Sequence, residues 1–590
     1  MGTRAMWRKP LLAGLASLAL TAGLFSAGAG TASAAETPPP APPATTSVAD
    51  TDITPANAQF LAAVSTGSFR AGDIITDGNM YNGDAMSADD VQAFLDANAQ
   101  PCGNCIDVKS FSGTAKPQTA ECDPVAGGTM NAATIIATVG KACDVSQRAL
   151  LTLIQKESGL IESASPSDAD YQTATGYECP DTGAGCDPAS ATFFDQVYGA
   201  ARQLQNDRTS PRFPVGTPTN IAFSPDSTCG TGAVTIATHA TAALYSYTPY
   251  VSYTEGDDTL SGAPNHSGCG SDGNQLFWVI YTDWFGYPQI DVDRVSGADR
   301  YSGAVEIAKK AFPTTAPVVF VANGQNYPDA LSAGPAAVKL GGPLLLTDPA
   351  ALSQPVIDEI SALKPGRIVV VGGVNSVSDA VKAQLATLVS GVTVDRIAGA
   401  SRYDTSRLLV QDAFKGGADG AFIATGANFP DALSAGAAAG SKGQPVLLVD
   451  GSASALDSGS VQVLKGLGVD TLTVVGGPNS VSTGVLASAQ QQVAPSTRIS
   501  GTDRYDTSQK INATVFKEAS RAFLATGVNF PDALAGSAWA GRVDAPLYVV
   551  QPNCVPAAVR TGFRPAGVHQ VTLLGGPNSL GTGVLTLQGC

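Results

Sequence analysis

The chain has 590 residues, enough for several domains, and carries 34 Lys+Arg against 50 Asp+Glu. The acid surplus is confined: residues 1–290 hold 12 cations and 28 acids, whereas residues 291–590 hold 22 of each. So acidic a first half excludes nucleic acid and anionic headgroups as partners, and leaves the neutral second half to meet anything anionic.

Residues 1–34 read as a secretory signal. Arg4, Arg8 and Lys9 form its basic start, residues 11–25 its apolar core, and Ala32-Ser33-Ala34 a small-residue cleavage site. No Cys follows the cut and no later run is long enough to span a membrane, so the sequence predicts an exported protein without a membrane span. Residues 35–50, rich in Pro, Thr and Ala, read as an extended linker.

Residues 51–288 form the first domain. A short helix is expected within 51–72. Ser87-Ala-Asp-Asp90 has the form of a capping box. Apolar residues at helical spacing predict helices over 131–143, 146–160, 192–206, 234–247 and 274–285. Eight cysteines lie between Cys102 and Cys269, and two, Cys554 and Cys590, in the second half. Even counts in an oxidising compartment predict disulfides, with Cys179…Cys186 a local clip and Cys554–Cys590 a bond that ties down the last unit. Cys102-Gly-Asn-Cys105 could be half a metal site, but there is no second CxxC and only three His, so no metal or cofactor is expected.

The sharpest chemistry is at Glu157. It lies three and four residues after Ile154 and Leu153, on the apolar face of its helix, with Gly159 as a natural stop. Burial and the negative helix end both favour a protonated carboxyl, able to give a proton to a glycosidic oxygen. The alternative is an exposed helix-end Glu bonded to solvent or to Lys156.

The second half repeats. Arg-x-x-Gly-x-x-Arg-Tyr begins at Arg294, Arg396 and Arg498; Asn-aromatic-Pro-Asp-Ala-Leu begins at Asn326, Asn428 and Asn529; Gly-Gly-x-Asn-Ser begins at Gly372, Gly476 and Gly575. Each unit reads as alternating strand and helix: strands at 317–322, 343–347 and 367–371 in the first, with Asn326 capping the next helix and Asp329 facing its positive end. The units are bounded as 294–395, 396–497 and 498–590, each a small α/β domain with a parallel sheet.

Those motifs closely resemble the type 2 cell-wall-binding repeat of Gram-positive bacteria. The resemblance implies a topoisomerase-primase-like α/β fold, three repeats around a pseudo-threefold axis in a monomer, and non-covalent retention on the cell wall or surface through an anionic secondary wall polymer. Arg300, Arg402 and Arg504 suit an anionic partner, although they could equally make salt bridges between units. The Gly-Gly pairs are either phosphate cradles or strand-to-helix turns. Ligands of open parallel sheets bind beyond the carboxyl ends of strands, which adds Asn375, Ser376, Asn479, Ser480, Asn578 and Ser579 as polymer-binding candidates.

Residues near 131–285 more distantly resemble the lysozyme-like lytic transglycosylases, through Glu157-Ser158-Gly159, Ala174-Thr175-Gly176-Tyr177 and Tyr245-Ser246-Tyr247. The family usually has Gly-Leu-Met-Gln where this chain has Gly176-Tyr177-Glu178-Cys179, and Asn where Ser246 stands. The resemblance implies a mainly α lysozyme-like fold acting on peptidoglycan, with Glu157 as general acid and Tyr177, Tyr245 and Tyr247 lining the substrate. A hydrolase would add a second carboxylate, Asp170 or Asp181, which could instead be turn formers. The two functional readings are a wall-held enzyme that cuts glycan strands and a non-catalytic surface or adhesion protein.

Overall fold

The computed structural model describes residues 69–179, 186–266 and 268–590. The signal segment, the linker, most of 51–72 and Asp181 lie outside the described residues.

The first half is helical over most of the stretches where the spacing predicted it. Ser87 and Asp90 make the reciprocal capping box of Ala88–Asn98. Asn131 caps Ala132–Ala142, and Thr192 caps Phe193–Thr209 through its side chain. Gln147–Ser158 ends at Gly159 in the left-handed region, φ 64°, whose N–H donates to the Gln155 carbonyl. Large buried rings, among them Trp278, Tyr245, Tyr281 and Phe193, fill one core.

The expected helix over 234–247 is corrected. Thr231–Thr235 is a strand, paired antiparallel with Pro218–Ala222 and Leu260–Ser261, and the helix begins only at His239, capped by Thr238. Burial alternates along 231–235, with Gly232 and Val234 inward, which is a strand's period of two. A second hairpin pairs Ser110–Gly113 with Gly128–Asn131. Disulfides join Cys102–Cys105, Cys122–Cys143, Cys179–Cys186 and Cys229–Cys269.

In the second half the structure contains three four-stranded parallel sheets. Their central strands, Val318–Asn323, Gly420–Thr425 and Arg521–Thr526, are apolar and buried along almost their whole length, as strands covered on both faces must be. The fourth strand of each sheet comes from the next unit's signature. Thr393–Ile397, which holds Arg396, pairs with Arg367–Val371 of the first unit. Ser496–Ile499, which holds Arg498, pairs with Thr471–Val475 of the second. The third sheet is completed by Asp291–Val295, which pairs with Gln570–Leu574. For the third unit, the strand that opens the first unit takes the place of a successor and closes the exchange.

The helices Ala333–Leu340, Pro430–Ser441 and Pro531–Arg542 pack against one another on small residues. A Cβ on Gly440 would lie 3.5 Å from the Gly541 Cα, and one on Gly334 would collide with the Ser537 hydroxyl. One continuous apolar core runs through all three units. The rings of Tyr327, Phe429 and Phe530 meet in a triangle, with centroids 5.4, 5.7 and 6.0 Å apart.

The two halves are joined by more than chain. Thr76 Oγ1 donates to an Asp291 carboxylate oxygen. Arg564 reaches Asp258 at 2.6 Å, which Arg70 also holds. Among the described residues no helix is long and apolar enough to cross a membrane.

Candidate functional site

Glu157 occupies the last turn of Gln147–Ser158, and its side chain is 8% exposed. The exposed alternative is thus wrong on exposure and right on partner: Lys156 Nζ lies 2.5 Å from Glu157 Oε1 and donates to Thr248 Oγ1 at 2.5 Å, with its own side chain 3% exposed. Adjacent residues on a helix do not normally share a face. Here the helix stops at Gly159, and the lysine folds back along the first residues of Gly273–Phe285. A Cβ on Gly273 would lie 3.5 Å from Lys156 Cε.

A loop is set over the carboxyl. Ser158 Oγ donates to the Ala174 carbonyl at 3.0 Å, tying the helix end to it. Gly176, at φ 69°, turns so tightly that a Cβ there would sit 3.7 Å from Glu157 Oε2. Gln196, fully buried, accepts from the N–H groups of Thr175 and Tyr177, and donates to the carbonyls of Tyr177 and Ser190 at 2.8 and 2.9 Å.

The three tyrosines separate. Tyr177 is half-buried, its ring seated on Gly199 where any side chain would collide, and its hydroxyl donates to Glu178 at 3.2 Å. Tyr247 is buried beside Glu157; burial, and then the Glu157 charge, push its hydroxyl well above the usual range. Tyr245 is a correction. It is fully buried and its hydroxyl donates to the Ala71 carbonyl at 3.0 Å, so it holds the core and cannot face a glycan. Asp170 follows the turn-former alternative: it accepts from Ser167 N–H and Oγ, as the partner in the capping box that Ser167 makes at the start of Asp168–Gln172.

Sequence reasoning missed Asp207. It is buried beyond Asn206, where the predicted helix stopped. Burial pushes its carboxyl up to about 6, against hydrogen bonds from Gln203 and Ser246. Its one sequence signal was the i, i+4 spacing from Gln203.

In the repeats the signature residues join units. Arg294 donates to the carbonyls of Gly575 and Leu580, Arg396 to Gly372 and Arg498 to Gly476, so the first Arg of each signature closes over the glycine turn of the sheet it enters. Arg300, Arg402 and Arg504 donate to the carbonyls of Gly324, Gly426 and Gly527 in their own units. The charge of Arg504 also acts on Asp431, and that of Arg300 on Asp532. Those contacts cross between units, although as charge proximity and not as ion pairs in contact.

The expected cap by Asn326 is a further correction, while Asp431 and Asp532 do stand in the first turn of their helices. The helix after Asp329 starts only at Ala333; the other two begin at Pro430 and Pro531, with no side-chain cap. Asn326 instead accepts from the N–H of Tyr327, its neighbour. Each Asp lies under its Gly-Gly turn, where a Cβ on Gly372, Gly476 or Gly575 would collide with it. Ser376 Oγ donates to Asp329 Oδ2 at 2.6 Å, and Ser480 and Ser579 bond Asp431 and Asp532 in the same way. Burial raises Asp431, and raises Asp532 to about 6. The first glycine of each pair donates its N–H to the incoming strand, at Ile397, Ile499 and Val295. That N–H is thus engaged within a strand-to-helix turn. Ser376, Ser480 and Ser579 are engaged and half-buried, whereas Asn375, Asn479 and Asn578 stand exposed at the turn tips.

The second half is therefore an array of three parallel-sheet units interlocked by strand exchange, each presenting an exposed Asn beyond its strands. Residues 294–382, 396–486 and 498–585 match the family described as "Cell wall binding domain 2 (CWB2)", and the C-terminal half of the chain carries three copies of that domain. The chain is 29% identical over 293 residues to the N-acetylmuramoyl-L-alanine amidase LytC of Bacillus subtilis (strain 168), covering 50% of this chain and 57% of LytC. It is 27% identical over 288 residues to the Amidase enhancer of the same organism, covering 49% of this chain and 39% of that protein. The chain thus spans about half the length of the curated relatives it matches. Two solved structures align: Cwp6 from Clostridium difficile, TM-score 0.48 and 24% identity over 51% of this chain and 48% of that one, and Cwp8 from the same organism, TM-score 0.45 and 22% identity over 57% of each. The protein is cell-wall-associated, at the wall or cell surface.

Proposed function

We propose that the protein is held non-covalently on an anionic secondary wall polymer by its three repeats, as a monomer with pseudo-threefold internal symmetry. It displays an N-terminal lysozyme-like domain that cleaves peptidoglycan glycan strands, with Glu157 as its proton donor. The observation that carries the wall-binding reading is the match of all three units to one wall-binding domain. The exposed Asn375, Asn479 and Asn578, with the partly exposed Arg300 and Arg402 and the exposed Arg504, are the polymer-facing candidates. The mutual packing of the three central helices and of Tyr327, Phe429 and Phe530 supports the symmetry.

The catalytic reading rests on Glu157 under the Gly176 turn, with Tyr247 beside it. A transglycosylase needs no second carboxylate, because the sugar's own hydroxyl closes on the anomeric carbon. A second reading, a non-catalytic surface protein, is favoured by one observation: Lys156 already occupies a Glu157 oxygen. Incubation of the protein with purified peptidoglycan separates the two. Release of anhydro-muropeptides, lost in Glu157→Gln, supports the enzyme; no release from the parent protein supports the second reading.

A further inference from the structure

We propose that Lys156 is the positioning residue of the Glu157 site: it anchors the carboxyl in one orientation through Thr248 and supplies its counter-charge. The proposal rests on the catalytic reading for its use, and on geometry for its existence. Two charged side chains, 3% and 8% exposed, lie 2.5 Å apart. Desolvating a lone carboxylate or a lone ammonium this far is costly, and each removes most of that cost for the other. The ammonium also has a second fixed partner, Thr248 Oγ1 at 2.5 Å, in the residue that ends the helix His239–Tyr247. Asn274 Nδ2 donates to the Thr248 carbonyl at 3.0 Å, so the start of Gly273–Phe285 holds Thr248 in turn. The lysine is thereby clamped between three helices, and its position is not a surface accident.

The groups around the pair add to this. Tyr247 feels the Glu157 charge, and Tyr177 and Asp207 lie near Tyr247; none of the three carries a positive charge. Lys156 is the cation in contact with Glu157 among the described residues. Proton donation to a glycosidic oxygen costs Glu157 its proton, and the nearby ammonium favours the carboxylate so formed.

The test uses the full chain labelled with carboxyl-13C glutamate. The nine glutamates keep the spectrum sparse, and the Glu157 signal is the one lost in Glu157→Gln. In Lys156→Met, which keeps the stem and removes the charge, the midpoint of that signal is expected at higher pH than in the parent, with Lys156→Arg close to the parent. Thr248→Val, which removes the anchor alone, is expected to shift the midpoint part of the way and serves if Lys156→Met does not fold. Folded variants whose midpoint matches the parent's overturn the proposal. Absence of glycan cleavage by the parent overturns the catalytic reading instead and leaves the midpoints free to decide the pairing. Where cleavage is seen, the pH profile of Lys156→Met is expected to move in the same direction as the signal.

Discussion

Arg294 donates to the Gly575 carbonyl at 2.6 Å, across 281 residues of sequence. With its second nitrogen on the Leu580 carbonyl, it fastens the opening strand of the first unit to the glycine turn of the third. The arginine is drawn below its ordinary range by burial, so its two acceptors are shielded from water as well.

Arg294→Met is therefore expected to destabilise the repeat half by about 1–3 kcal/mol, the cost of leaving buried acceptors unpaired. Urea unfolding followed by tryptophan fluorescence measures it, and an unchanged midpoint would contradict the interlock. A fragment beginning at residue 298 is expected to fare worse than one beginning at 286. It leaves Gln570–Leu574 as an open sheet edge, which favours aggregation.

The bond Cys554–Cys590 closes a separation of 36 residues. In the chain-entropy view that stabilises by about 3–4 kcal/mol. Double replacement by Ser is expected to lower the melting temperature of the repeat half by several degrees. Peptide mapping without reductant should recover the crosslinked pair, and two free thiols there in exported protein would refute it.

Asp532 gives a pH test with a definite sign. Burial raises its folded carboxyl from 3.8 to about 6, with Ser579 and Arg300 opposing. The folded state therefore binds the proton more tightly than the unfolded chain. Stability from this group is present below the unfolded value and is lost as pH rises through about 6. Asp532→Asn keeps the shape and cannot ionise. It is expected to be stabilising relative to the parent at pH 7.5 and closer to neutral at pH 4.5. Equal effects at both pH values would show that the carboxyl does not titrate in this window.

Glu157→Gln removes the proton donor and keeps the shape. A loss of about 10²–10⁴-fold in release of anhydro-muropeptides is expected, together with a loss of stability, because the buried Lys156 ammonium is left without its counter-charge. A variant as active as the parent would move the chemistry elsewhere in the domain.

The local pattern of the chain was legible and its long-range pairing was not. The strand at 367–371 and the helix ending at Gly159 follow from apolar runs and a stop residue, both of which are local signals. The strand Thr231–Thr235 was lost because a short run leading into a real helix carries too few residues to separate a period of two from one of 3.6. The motif spacing located Asp329 and Ser376, but their bond joins residues 47 apart and no periodicity encodes it. The closing strand Asp291–Val295 was invisible for the same reason, since its partner lies in the last unit. At the candidate catalytic site Glu157 was singled out from its place on the apolar helix face before Gly159, and Tyr247 from resemblance. Tyr245 was misassigned because burial depends on which helix covers it, and Lys156 was undervalued because neighbours in sequence rarely meet on a helix.

Wall binding by the repeats is tested most directly by co-sedimentation. A fragment of residues 286–590, which keeps the closing strand, and a fragment of residues 69–288 are each mixed with isolated Gram-positive cell walls and with the same walls stripped of their anionic polymers. The first fragment is expected to pellet with intact walls and to stay in solution with stripped ones, and the second to stay in solution with both. Equal pelleting of the two fragments on stripped walls would contradict the account.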